Sequence, residues 1–114
     1  MTTKQIAQRL IALAAKQKFS EARLELYAED VVCQEADNKE ISGLQALDKK
    51  QKTWMDSMEK IHSLKISKPL VNGNFFSIAF TWDVTYKDQP RGGWKEIGLY
   101  QVKYGKIILE KYFY

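Results

Sequence analysis

Cysteine, histidine, proline and glycine are all scarce in this 114-residue chain: one Cys, one His, two Pro and six Gly. The lone Cys33 cannot close an intrachain disulfide or form a CxxC metal or redox pair, which fits a reducing cytoplasm. The lone His62, without carboxylates clustered at ligand spacing, supplies no metal-binding set, so no metal is expected. No GxGxxG, P-loop or haem-attachment spacing occurs, and no cofactor is expected. Nor is there an apolar run of membrane or signal-peptide length. The N-terminal segment has helical spacing interrupted by Lys4, Gln5, Gln8 and Arg9, so neither a membrane partner nor export is expected.

Charge of one sign is also in short supply. Eighteen Lys+Arg against 14 Asp+Glu give a net +4, spread along the chain instead of clustered. The densest basic run, Lys49, Lys50 and Lys52, falls on a predicted helix whose other face carries Leu44, Leu47, Trp54 and Met58. A solvated helix face accounts for it. A nucleic-acid footprint would interleave basic residues with exposed aromatics, and none is expected here. The length suits one ordinary domain, and no repeat, linker or low-complexity tract divides residues 1–114.

Aromatic residues at alternate positions are what the chain has in quantity. Phe76, Ile78, Phe80, Trp82, Val84 and Tyr86 alternate with mostly polar or small residues, the period of a strand with one face turned inward. A face so loaded fills a core or lines a cavity for an apolar ligand.

Upstream, Ile6, Leu10, Leu13 and Ala14 recur at helical spacing. Thr2 and Gln5 make a capping box, so a first helix should run to about Lys16. Ser20 is a candidate cap for a second helix, with Phe19 and Leu24 as a hydrophobic staple and Tyr27 carried inward. Val31 to Glu35 reads as a strand. Ser42 with Gln45 matches another capping box and opens a helix from Leu44 to near Glu59, with Leu44, Leu47, Gln51, Trp54 and Met58 along one stripe. From Ile61 the period becomes two and continues towards Val71. Asn72-Gly73 signals a hairpin. The aromatic strand follows, then a loop at Pro90, Gly92 and Gly93, and strands Trp94–Tyr104 and Ile107–Tyr114 about a turn at Gly105. Helices first and an antiparallel meander after indicate an α+β domain. Ile97, Leu99, Ile107, Leu109 and Phe113 are apolar on what should be the second sheet face. Apolar residues on both faces imply burial on both; a homodimer through the sheet face is the preferred source of it, against coverage by edge loops within a monomer.

Several local stretches converge on a known family. YAEDVVCQEA after two helices, ISGLQAL opening a third, and GKIILEKYFY closing the last strand together resemble the nuclear transport factor 2-like superfamily, specifically its SnoaL-like and ketosteroid isomerase-like branch. The resemblance implies a cone-shaped, curved, mostly antiparallel sheet packed against three N-terminal helices, cystatin-like in outline, with a deep apolar pocket and commonly a dimer. In the isomerase branch a carboxylate on the strand after the YA-acidic-acidic segment is the general base, and Glu35 matches it. The branch's oxyanion tyrosine falls near Ile11 and its protonated aspartate near Gly98, so neither of those groups is carried over.

The candidate site follows from the faces. Glu35, if inward, is a base. Glu96, Gly98, Tyr100 and Val102 share one strand face, and Gly98 matches a pocket position, which makes Glu96 and Tyr100 an inward polar pair. His62 shares a predicted face with Leu64 and Ile66, and is a possible proton shuttle. Tyr27, Trp54, Phe80, Trp82, Glu110, Tyr112 and Tyr114 are the expected ligand-binding walls. Burying Glu35, Glu96 and Glu110 together without partners is costly, so at most two should lie deep. The reading is a protein binding a small apolar or aromatic molecule, an acid/base isomerase, cyclase or hydratase needing no cofactor. The alternative is a non-catalytic dimeric module that binds a ligand or another protein.

Overall fold

The computed structural model describes residues 1–114. Helix α1 (Thr3–Ala15) begins where the capping box predicts. Thr2 Oγ1 accepts from the Gln5 backbone N–H at 3.1 Å, and Gln5 Oε1 accepts from the Thr2 N–H at 2.8 Å. Its buried side, Ile6, Ala7, Leu10, Leu13 and Ala14, lies against the sheet.

Helix α2 (Phe19–Leu26) starts earlier than the Ser20 cap would place it. Lys18 is the cap residue and offers no side-chain bond, while Ser20 Oγ donates instead to Asp48 Oδ1 at 3.0 Å. Leu24 is 63% exposed, so the staple with Phe19 does not form. Tyr27 is buried as expected, although it opens β1 (Tyr27–Gln34) instead of riding on the helix.

A short β2 (Glu40–Ser42) pairs with β1, Ser42 opposite Val32. That commits Ser42 to a ladder, so the second capping box does not form: Gly43, at φ +96°, precedes α3 (Leu44–Asp56). That backbone conformation suits glycine. The helix stops three residues short of Glu59, and Met58 begins β3 (Met58–Ile66).

The run from Ile61 to Val71 is two strands, β3 and β4 (Leu70–Asn72), and both pair with β5 (Phe75–Tyr86). Pro69, with no N–H to give the ladder, lies in the gap between them. The β4–β5 turn has a positive φ at Gly73, the first central position, as in a type II′ hairpin. Strands β6 (Gly92–Lys103) and β7 (Lys106–Phe113) turn through Tyr104 and Gly105, at φ +51° and +73°. Two positive angles in a two-residue loop are the type I′ pattern.

The sheet runs β2-β1-β7-β6-β5-β3, antiparallel except where β1 lies parallel to β7. Its helix-covered face carries Phe76, Ile78, Phe80, Trp82 and Val84, all buried, the alternation read from the sequence. The outer face carries Ile97 and Phe113, paired with each other across β6 and β7, together with Leu99 opposite Lys111 and Leu109 opposite Gln101. Ile107 is the exception to the expected outer set. A register shift between Gln101 and Val102 pairs it with Val102, and it is fully buried. No helix is long and apolar enough to cross a membrane.

Candidate functional site

Between the three helices and the inner face of β5, β6 and β7 lies a cavity of about 730 Å³. Its composition follows from strand register. Trp82 on β5 is paired with Trp94 on β6, which stacks their rings at 5.7 Å and 13°. Trp54, from α3, meets both edge-on at 5.3 and 5.9 Å, and Phe19 from α2 leans on Trp82 at 5.8 Å. Offset and edge-to-face contacts of this kind hold aromatic rings in fixed orientations. The wall is therefore a set of flat, apolar surfaces. Phe80 and Tyr86 complete it.

The floor is polar. Glu110 on β7 is 3% exposed. Tyr27 donates to its Oε1 at 2.6 Å, and the Tyr112 hydroxyl donates to the same oxygen. Burial pushes the Glu110 carboxyl above the ordinary glutamate range, although both phenols and the nearby Arg23 pull the other way. Burial, then the charge of Glu110, lifts Tyr27, Tyr100 and Tyr112 well above the usual phenol range. They are hydroxyl donors, not phenolates. Cys33 stands opposite Glu110 in the β1–β7 pairing, with its Sγ 4.0 Å from Glu35 Oε1. Burial and the two carboxyls push its thiol up, the reverse of what a nucleophilic cysteine needs.

Midway along the wall, Glu96 Oε1 accepts from the Trp82 indole N–H at 3.1 Å. Desolvation raises its carboxyl, against the pull of the two indole donors, Trp82 and Trp94. The rim is wetter. Glu35 is ion-paired with Lys50 at 3.4 Å and accepts from the Tyr114 hydroxyl at 3.1 Å. Arg23 reaches the cavity from α2, its Nε held by Asp48 Oδ1 at 2.9 Å. Burial raises Asp48, but the hydrogen bonds from Arg23, Lys52 and Ser20 outweigh it and hold that carboxyl below its usual range. This pair ties α2 to α3 and so fixes the helical side of the cavity.

The structure thus brings together Glu35, Glu96 and Tyr100, and around them Tyr27, Trp54, Phe80, Trp82, Glu110, Tyr112 and Tyr114. His62 is not among them. Ile61 pairs with Val84 and Ser63 with Asp83, so His62 is the extra residue of a bulge. It turns to the other face of the sheet, where its Nε2 lies 2.7 Å from Thr85 Oγ1. It does not line the cavity. Of the three glutamates only Glu110 is fully buried.

Among the cavity residues outside the sequence-read set are Trp94, Phe19, Arg23 and Lys50. Trp94 was legible, being two residues before Glu96 on the same strand face. Phe19, Arg23 and Tyr27 recur every four residues, a spacing the staple assignment obscured. Lys50 sits on the helix face read as solvated, and only tertiary contact reveals its pairing with Glu35. No three His, Cys, Asp or Glu side chains converge as metal ligands would.

The sequence model of the SnoaL-like domain family matches residues 1–114. A proposed SnoaL-like polyketide cyclase from Mesorhizobium loti superposes with a TM-score of 0.93 at 32% identity, covering 100% of both chains. A protein of ketosteroid isomerase-like fold from Catenulispora acidiphila, solved with trimethylamine, gives 0.77 at 16% identity, covering 96% of this chain and 84% of that one. A cystatin-fold protein from Novosphingobium aromaticivorans gives 0.82 at 11% identity over 100% and 99%. No curated protein matches the sequence.

Proposed function

This chain belongs to the SnoaL-like domain family of the nuclear transport factor 2-like superfamily, and from that premise we propose that it binds a small ring-bearing molecule and acts on it by cofactor-independent acid/base chemistry. One observation carries the reading: three glutamates in three different environments, Glu35, Glu96 and Glu110, line a single aromatic-walled cavity. Environments that differ this much let one carboxyl serve as base while another stays protonated. Glu35, ion-paired with Lys50, is the base that takes a proton from a carbon next to a carbonyl. Glu96, desolvated between indoles, returns a proton on the opposite side of the ring. The flat walls hold the ring between them. Likeness to a proposed polyketide cyclase supports a ring-forming or isomerising reaction on a polyketide-like substrate.

Deuterium exchange tests this without knowledge of the natural substrate. In heavy water the protein should accelerate loss of the α-proton signals of tetralone, followed by NMR. Glu35→Gln should cut that acceleration by roughly 10²–10⁴-fold, the usual worth of a positioned base, with the thermal midpoint unchanged. Tetralone that binds without exchanging would point instead to a non-catalytic ligand-binding module.

The outer sheet face favours a second element of the proposal, a homodimer. Ile97 and Phe113 are 47% and 49% exposed, with Leu99 and Leu109 beside them. Such a face is suited to the dry centre of an interface. Leu99→Asp should convert a dimer to monomer in sedimentation velocity, because the new carboxylate would be desolvated there. An undisturbed dimer would put the interface elsewhere.

A further inference from the structure

Arg23 brings to the cavity a guanidinium that the chain uses through one nitrogen only. Its side chain is 9% exposed, and Nε donates to Asp48 Oδ1 at 2.9 Å. Neither terminal nitrogen, Nη1 or Nη2, has an acceptor in the chain. Nor are they sealed off: Glu110 Oε2 is the one wholly buried side-chain polar atom without a partner, and Arg23 lines the cavity. As a tie between α2 and α3 the arginine needs no more than Nε, and burying the rest of a cation for that purpose alone is costly. The local charge is also unbalanced. Asp48 serves Lys52 at 3.1 Å as well as Arg23, one carboxylate to two cations. Glu110, the next acid, is pushed by burial towards its uncharged form. Phe19 stands one turn before Arg23 on α2 and leans on Trp82 at 5.8 Å. Side chains four apart on a helix lie about 5–6 Å from each other, so a ring seated on that wall brings a substituent on its edge to the guanidinium.

We infer that the free end of Arg23 is an anion subsite inside the cavity, and that the molecule held there is a ring-bearing acid whose carboxylate accepts parallel hydrogen bonds from Nη1 and Nη2. This rests on the proposal that the cavity takes a ring-bearing molecule, and it adds the group by which that molecule is oriented. The shape of the donor selects the class. A planar fork matches the two coplanar oxygens of a carboxylate. A phosphate, with its further charge, would call for a second buried cation, whereas Lys39, Lys50 and Lys95, the lysines that line the cavity, are all exposed.

Two probes of nearly one shape isolate the charge. Naphthoate carries the carboxylate and naphthamide replaces it with a neutral amide, and titration calorimetry at neutral pH reports binding of either. The wild-type protein should bind naphthoate roughly 10- to 100-fold more tightly than naphthamide, the usual worth of hydrogen bonds to a charged group. In Arg23→Met that ratio should fall to about one. Arg23→Lys keeps the charge but has no fork, and most of the ratio should be lost there too. Equal binding of both probes by the wild type, or a ratio kept whole in either variant, overturns the inference and leaves the ring-binding proposal standing. Failure of the wild type to bind either probe overturns both. Should the variants not fold, salt decides on the wild type alone. A pair formed at the buried guanidinium should keep its preference for naphthoate in about 1 M sodium chloride, where the Debye length is about 3 Å. A preference abolished by that salt would put the carboxylate on the exposed lysines and sink the assignment to Arg23.

Discussion

Trp82→Ala is expected to lower the unfolding free energy by about 3–5 kcal/mol, the usual cost of removing a large buried aromatic, read from the denaturant midpoint at constant slope. That is a large part of the roughly 5–15 kcal/mol a domain has. The size follows from position. Trp82 is 4% exposed and is the residue that Phe19, Trp54 and Trp94 all touch. Its removal leaves three rings from α2, α3 and β6 without their common neighbour. It also strips Glu96 of its 3.1 Å indole donor. Trp82→Phe separates the two effects by keeping a ring and losing the N–H.

The pH dependence of Trp82→Phe has a definite sign. Glu96 has a folded pKa above its unfolded one, so the stability it contributes is complete at low pH and is lost as pH rises through the folded value. Taking away a donor to the charged form raises that value further. Relative to wild type, Trp82→Phe should therefore lose stability between the ordinary glutamate range and neutrality, and differ least in acid. A gap between the two proteins that does not vary with pH would show that the indole does not govern Glu96.

How much of this was legible in the sequence depended on whether the signal was local. The Thr2–Gln5 box, the alternation from Phe76 to Val84 and the turn at Gly105 are set by neighbouring residues, and each stands where the sequence placed it. That Glu96 and Tyr100 share one strand face was legible for the same reason, whereas the inward direction of that face came from the resemblance, through the match of Gly98 to a pocket position. The misreadings share another cause. Ser20 and Ser42 are good caps in isolation, but Ser20 is claimed by Asp48, 28 residues away, and Ser42 by the ladder to Val32. His62 kept its expected strand and lost its expected face, because one bulge residue reverses the alternation. Bulges are set by the pairing of two strands, and nothing within Ile61–Ile66 announces one. The central place of Glu110 was hidden in part: Tyr112, two residues along the same strand, was legible beside it, whereas Tyr27 is brought to it from the other end of the chain by the parallel β1–β7 pairing.

Gly98 shows why one substitution should not convert this cavity into the isomerase arrangement that it resembles. The branch's aspartate falls near Gly98, yet the space a side chain needs there is taken. A Cβ on Gly98 would stand 2.7 Å from the Tyr100 hydroxyl oxygen and 2.8 and 2.9 Å from two ring carbons. The ring has little room to retreat, being 1% exposed and stacked on Phe76 at 4.7 Å. Gly98→Ala should cost about 1–3 kcal/mol by overpacking alone. Gly98→Asp adds a buried carboxyl without a partner, worth about 1–3 kcal/mol more, and should leave the protein barely folded at room temperature in a denaturant titration. Tyr100→Ala clears the slot. Combined with Gly98→Asp it should give a double variant more stable than the sum of the single costs predicts, because both changes act on the same space. Strict additivity would mean that Tyr100 has a second seat and that the slot at Gly98 is open to a ligand. Coupling would mean that the Tyr100 ring fills the space over Gly98, so that a side chain at position 98 and the phenol at position 100 exclude each other.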